Sequence, residues 1–342
     1  TSNVTDMSYM FSECFLLENL DVSKFNTKEV TNFCSMFVDC PKLTSLDVSH
    51  FDTSKATNMS HMFSGLSSIT SLNVNNFDTK LVVDMSFMFS SDSSLVLVDV
   101  SKFDTGNVKN MEFMFSHCES ISNLDVSKFK TDKVENMEFM FANCYNLRSL
   151  DVSGFVTENV KDMTNMFNSC KNLNSLNVSK FNTKNVEDMS NLFNECLNLK
   201  VIDVSNFETD KVIDMSFMFA ECKNVENLDV SRFNTAKVTD MSSMFSDCEK
   251  VTSLAFGKFD TRNVEYMDSM FKGCHDIKSL DLSSFNTERV SDMSYMFNFM
   301  PLLTEINLSN FVTSKVVYMS YMFTNCRQLK SLNLNNFDTS SV

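Results

Sequence analysis

The sequence repeats itself every 26 residues from its first residue to its last, with no insertion or deletion. Phe11 recurs as Phe37, Phe63 and onward to Phe323, and Phe25 begins a second unbroken column of phenylalanines. A fixed period of about 20 to 50 residues predicts a solenoid, in which each repeat packs on its neighbours. We therefore predict a single continuous repeat domain over residues 1–342, with about 13 repeats, and not several globular domains.

The first half of each repeat carries the pattern of a buried helical face. Val4, Met7, Met10, Phe11 and Cys14 follow one another at spacings of three and four residues. This spacing predicts a helix of about two to three turns, which packing against neighbouring repeats would have to stabilise.

Two polar columns fit the start of such a helix. Asp6 lies near its predicted start, where a carboxylate suits the positive end of the helix dipole. The column that begins at Thr1 holds threonine at every repeat up to Thr339. A hydroxyl just before a helix predicts an N-terminal cap.

The second half of each repeat changes to the period of a strand. Leu17 is followed by Leu20 and Val22, and the last two alternate with the outward-facing Asp21. This change of period predicts one short parallel strand per repeat on one face of the solenoid and one short helix on the other. Phe25 follows the predicted strand, and we expect its ring to pack in the corner where the chain turns into the next repeat.

The unit VTDMSYMFSEC…LDVSKFNT resembles the BspA-like leucine-rich repeats of bacterial and protist surface proteins, and most closely the variety found in mycoplasma surface proteins. The resemblance covers the whole chain and implies a right-handed α/β leucine-rich-repeat solenoid. It also implies an extracellular, cell-surface location and a role in adhesion or protein binding. It supplies no catalytic residues, because the family motif is a packing motif.

Composition excludes several classes of partner. The net charge of −15 opposes binding to nucleic acid or to an anionic membrane surface. No apolar run approaches the roughly 18 residues that a membrane span requires. Because the chain starts and stops within a repeat, we expect it to be a fragment of a longer array without its capping units.

The cysteines allow three interpretations. Ten of the eleven share one column, and Cys34 lies outside it. They could be buried free thiols, disulfides between adjacent repeats, or ligands of a soft metal. No Cys-x-x-Cys pair exists, so we predict buried thiols and no metal site or cofactor. Asp92 also falls in this column, which is unusual for a buried position.

An acidic row marks the predicted sheet face. Strands in a sheet lie about 4.7–4.9 Å apart, so carboxylates in one column repel one another. Flanking hydroxyls, interleaved Asn and nearby Lys could offset this repulsion, or the row could bind Ca²⁺ or the basic surface of a partner. The candidate partner-binding residues are Asp21, Asp47, Asp99, Asp125, Asp151, Asp203, Asp229 and Asp281.

The sequence contains no recurring catalytic constellation, and we predict that the chain is not an enzyme. The four histidines lie in different columns, and there is no Gly-rich phosphate loop. Two functions fit what is left. The chain could be an adhesion module that binds a protein or glycan polymer at a cell or host surface, or a structural spacer that self-associates along the array.

Overall fold

The computed structural model describes residues 1–342, which form two compact units. Unit 1 comprises residues 1–160 and 166–176, and unit 2 comprises residues 161–165 and 177–342.

Each unit contains one pair of short parallel strands. In unit 1, β1 (Ser71–Leu72) pairs with β2 (Leu97–Val98). In unit 2, β3 (Ser279–Asp281) pairs with β4 (Glu305–Asn307). Ser71 lies opposite Leu97, one sequence period further on. The predicted strands, their parallel direction and their 26-residue register are therefore confirmed at these positions.

The predicted helices are wrong, because the chain contains no α-helix. It follows that no helix is long and apolar enough to span a bilayer. The segment in question is built from consecutive turns instead. In the fourth repeat, the N–H of Met88 donates to the carbonyl of Met85 and that of Ser90 donates to Phe87, each three residues back.

Left-handed backbone at two positions per repeat explains the absence of helices. Phe87 has φ 56° and Ser91 has φ 63°, and all the remaining repeats also have positive φ at both equivalent positions. A right-handed helix cannot pass through such residues. The left-handed residues turn every second backbone N–H of this segment towards the next repeat. The Met85, Phe87 and Phe89 amides donate to carbonyls 25 residues ahead at 3.1, 2.9 and 3.0 Å.

The two predicted helix caps have other roles. The Asp6 carboxylate accepts the N–H of Ser8 at 2.8 Å and so stabilises a tight turn. Thr105 Oγ1 donates to the carbonyl of Lys130 at 2.9 Å and accepts the N–H of the same residue at 2.7 Å. The threonine column therefore joins one repeat to the next.

The core has the columns that the sequence predicts. Phe115 is fully buried and stacks on Phe89 and Phe141, with ring centroids 5.4 and 5.9 Å away. The column that begins at Phe25 is also closed to solvent in the inner repeats, where Phe51, Phe103 and others are buried, while the terminal Phe25 and Phe337 are half-buried. Like side chains lie over like within each unit, and this stacking buries the apolar half of every inner repeat.

Candidate functional site

The aspartate row lies on the exposed side of the short strands. A buried residue precedes and follows seven of the eight Asp residues, as Leu46 and Val48 do for Asp47, so these carboxylates point outward; Leu20, before Asp21, is half-buried. All eight predicted residues are exposed. Asp21, Asp47, Asp99, Asp125 and Asp151 belong to unit 1, and Asp203, Asp229 and Asp281 belong to unit 2.

A serine two residues further on holds each carboxylate in place. Asp99 Oδ1 accepts the backbone N–H of Ser101 at 3.0 Å and its hydroxyl at 2.6 Å. Asp125 makes the same pair of bonds with Ser127 at 3.0 and 2.7 Å. Only Oδ1 is used in this turn, so Oδ2 of Asp99 and Asp125 is left to face solvent.

These hydrogen bonds keep the row ionised. The Ser127 hydroxyl and then its N–H lower the pKa of Asp125, and the nearby charge of Lys128 lowers it further. The Asp99 carboxylate opposes this effect and raises the pKa of Asp125. The pKa of Asp99 is lowered in the same way by Ser101, then by Lys102. The net direction is downward for both, so the row is negatively charged at neutral pH.

Asparagine interrupts the row and reduces the repulsion within it. In unit 2, Asn307 Nδ2 donates to Asp281 Oδ1 at 3.0 Å. Serine hydroxyls, interleaved Asn and nearby Lys therefore reduce the repulsion between the carboxylates. Across the chain, no three His, Cys, Asp or Glu side chains are arranged to hold a metal ion.

The cysteine column is buried as predicted. All eleven cysteines are free thiols, and the eight inner members of the column are buried. Thiols of the column donate across the stack to carbonyls 29 residues earlier, as Cys118 and Cys144 do to Phe89 and Phe115 at 3.0 and 3.2 Å. Burial raises the pKa of the Cys144 thiol to about 12, which leaves it protonated and unreactive.

Asp92 takes the place of a thiol in this column. It is only 2% exposed, and its Oδ1 accepts the N–H of Leu66 at 2.8 Å. Burial raises the pKa of Asp92 well above its usual range, because two backbone hydrogen bonds, from Leu66 and Gly65, offset only part of the desolvation. The charge of Asp92 in turn raises the pKa of Cys118, which is also buried.

Replacing Asp92 with cysteine or asparagine should stabilise the protein at neutral pH by about 1–3 kcal/mol, the usual cost of an incompletely compensated buried polar group. The folded-state pKa of Asp92 is raised, so its contribution to stability is greatest below the unfolded pKa of about 4 and declines as pH rises. The stabilisation by Asp92→Cys over wild type should therefore grow from pH 4 to pH 8. Urea unfolding of both proteins at pH 4 and pH 8 measures this stabilisation. If the difference in unfolding free energy between Asp92→Cys and wild type did not change with pH, the pKa of Asp92 would not be raised in the folded protein.

Unit 1 also contains an aromatic ladder that the sequence pattern did not predict. In unit 1, His61, Phe87, Phe113 and Phe139 stack in parallel at 4.3, 4.4 and 4.4 Å between ring centroids. All four are half-buried and all have positive φ. Their recurrence at one repeat position was the available signal, but the expected helix gave that position no role.

A second acidic row, in unit 2, belongs to the column of Asp6, which the sequence assigned to the start of the predicted helix. Asp188, Asp214 and Asp240 pair through successive backbone bridges. Burial, and then the charges of Asp188 and Asp240, raise the pKa of Asp214, although Ser216 opposes this by hydrogen bonding. These residues close tight turns and are less exposed than the row on the strands.

Comparison with known proteins agrees with the repeat architecture. The family model described as "Mycoplasma protein of unknown function, DUF285" matches residues 1–73, 67–177, 162–278 and 248–342. No curated protein matches the chain. A leucine-rich repeat protein from Bacteroides ovatus has a TM-score of 0.51 and 15% identity, over 96% of this chain and 81% of its own.

Two further structures are more distant. The functional domain of InlJ from Listeria monocytogenes, which includes a cysteine ladder, has a TM-score of 0.24 and 16% identity, over 97% of this chain and 58% of its own. An internalin (InlF) from the same species has a TM-score of 0.25 and 13% identity, over 84% and 86%.

The Bacteroides structure supports the fold alone, and the family model supports the resemblance to mycoplasma BspA-like repeats that the motif indicated. The chain therefore has a leucine-rich-repeat fold and belongs to the family described as Mycoplasma protein of unknown function, DUF285.

Proposed function

We propose that the chain is a non-enzymatic adhesion module at a cell surface, which binds a partner protein through the aspartate row. Leucine-rich-repeat scaffolds are suited to protein interaction because their repeats form an extended surface. The observation that carries the proposal is the row itself. Its carboxylates are exposed, ionised and oriented by serine before any partner arrives.

Preorganisation of this kind favours binding to a basic surface. The serine hydrogen bonds fix each side chain, so less conformational entropy is lost on association. Repetition adds avidity, because several weak ion pairs can form together. We also propose that residues 1–342 form one continuous array of about 13 repeats, as the unbroken period predicts, and that it is right-handed, as the resemblance to leucine-rich repeats implies.

Neutralising three members of the row should weaken binding to a basic partner by about tenfold. Each exposed ion pair contributes about 0.2–1 kcal/mol, and 1.4 kcal/mol corresponds to a factor of ten. The variant is Asp47→Asn, Asp99→Asn and Asp125→Asn, all in unit 1. Its affinity is measured against extracellular-matrix proteins and glycans on a sensor surface, at low and high salt and with and without Ca²⁺.

The matched control removes the same charge from another face. Asp52, Asp78 and Asp104 lie in unit 1, immediately before the threonine column, and each Oδ1 accepts the N–H two residues on. Changing these three to Asn should leave binding almost unchanged. Equal losses in the two triple variants would show a general charge effect and contradict a site on the row.

The alternative is a structural spacer without a specific ligand site. The hydrogen bonds and stacked rings that join successive repeats favour it, because they stiffen the stack whatever the surface residues are. A spacer should be indifferent to the Asp47, Asp99 and Asp125 substitutions but sensitive to the number of repeats.

A further inference from the structure

Two apolar residues interrupt the polar surface beside the aspartate row. Leu97 is 65% exposed and Val96 is 53% exposed. The equivalent residues of the repeats before and after are polar: Thr70 with Ser71, and Ser122 with Asn123. A single exposed apolar residue needs no explanation, but two adjacent exposed residues that are apolar where the neighbouring repeats are polar form a small patch.

The backbone holds this patch firmly. Leu97 begins β2 and lies opposite Ser71 of β1. The amides of Val96 and Leu97 both donate to the carbonyl of Thr70, at 2.9 and 3.2 Å. Val98 is buried beneath them, so Leu97 and Asp99, two residues apart, project from the same face.

The charge around the patch is negative on the sheet face. Asp99 follows Leu97, and Asp125 lies close enough to Asp99 for its pKa to respond to that charge. Lys102 and Lys128 act on these carboxylates from the adjoining corner and lower their pKa values. An apolar centre with a charged rim is the usual composition of a protein-binding hot spot.

We propose that Val96 and Leu97 receive an apolar side chain of a basic partner protein, whose neighbouring Lys or Arg side chains pair with Asp99 and Asp125. This inference rests on the proposed function and identifies its centre. A neutral glycan has no charge to pair with Asp99 and Asp125. A second copy of the chain is opposed by the net charge of −15 on each molecule.

The test uses two synthetic peptides of equal charge, one alternating Lys with Leu and the other alternating Lys with Ser. Wild type should bind the Lys–Leu peptide about tenfold more tightly, because only that peptide buries an apolar side chain against the patch. The double variant Val96→Thr with Leu97→Ser, which restores the residues found at Thr70 and Ser71, should bind both peptides equally.

A control variant changes two exposed valines of unit 1 that lie away from the sheet face. Val83 is 41% exposed and Val156 is 37% exposed. Val83→Thr and Val156→Asn introduce the residues that other repeats carry at the equivalent positions, Thr57 and Asn26. This variant should keep the tenfold preference for the Lys–Leu peptide.

The outcomes distinguish a failure of the Val96/Leu97 patch from a failure of binding through the aspartate row. If the Val96/Leu97 variant still prefers the Lys–Leu peptide, the inference is overturned while the aspartate row stands. If neither peptide binds wild type, or the triple Asp→Asn variant binds both as wild type does, the proposed function fails and the inference fails with it. If wild type sediments as a dimer and the Val96/Leu97 variant as a monomer, the patch joins two copies and the inference is overturned.

Discussion

Replacing Phe115 with alanine should lower the free energy of unfolding by about 3–5 kcal/mol, the usual cost of truncating a buried phenylalanine. Phe115 is completely buried, and its ring stacks between those of Phe89 and Phe141. Truncation leaves a cavity between two repeats whose backbones are joined by hydrogen bonds and cannot easily close it. Urea unfolding followed by circular dichroism measures the loss.

Phe113 provides a matched control two residues away. Its ring also stacks on two neighbours, at 4.4 Å, but it is half-buried in the aromatic ladder. Phe113→Ala should cost about 1–2 kcal/mol, since chiefly ring–ring contacts are lost. An equal or larger loss at Phe113 would show that the core column does not dominate stability.

Replacing Thr105 with valine should cost about 2–4 kcal/mol, although the two side chains have almost the same shape. The Thr105 hydroxyl satisfies both the carbonyl and the N–H of Lys130. Valine removes both bonds at a fully buried position, and an unpaired buried polar group costs about 1–3 kcal/mol. Urea unfolding again provides the measurement.

Serine at position 105 is the control, because it keeps the hydroxyl and loses one methyl group. Thr105→Ser should recover most of the stability that Thr105→Val loses. If the two variants were equally destabilised, the hydroxyl would have no role between repeats, and the packing of the methyl group would explain why threonine occupies this column.

The sequence predicts the repeat length, the buried columns and the strand register because all three depend on side-chain periodicity. Phe11, Phe25 and Leu20 mark positions that only a stacked core can accommodate, and the register of Ser71 with Leu97 follows from the 26-residue period. Burial of Asp92 was also predictable, because its column is otherwise apolar or sulfur-containing.

Helices were predicted in error because turns and helices share a spacing of three to four residues. Met85, Met88 and Phe89 would all face the core in either conformation. The decisive feature is the left-handed backbone at Phe87 and Ser91, neither of which is glycine. Such residues cost about 1–2 kcal/mol each in isolation. The hydrogen bonds to the next repeat compensate, and they are not visible in one repeat alone.

The candidate site was predictable in position but not in detail. Alternation around Asp47 and Asp99 places the row on the outer face of the strands. The role of Ser101 in orienting Asp99 depends on a turn that the sequence does not define uniquely. The ladder from His61 to Phe139 was missed for the same reason as the turns, because its rings project from left-handed residues.

The hydrogen-bond partner of Phe89 tests the central claim, that successive repeats bond to one another where helices were expected. Scalar coupling across hydrogen bonds, measured by NMR on deuterated protein, identifies the carbonyl that accepts each amide. The structure predicts coupling from the Phe89 amide nitrogen to the carbonyl carbon of Met114, at an N–O distance of 3.0 Å. Coupling to the carbonyl carbon of Met85, four residues earlier, would indicate a helix and contradict the account.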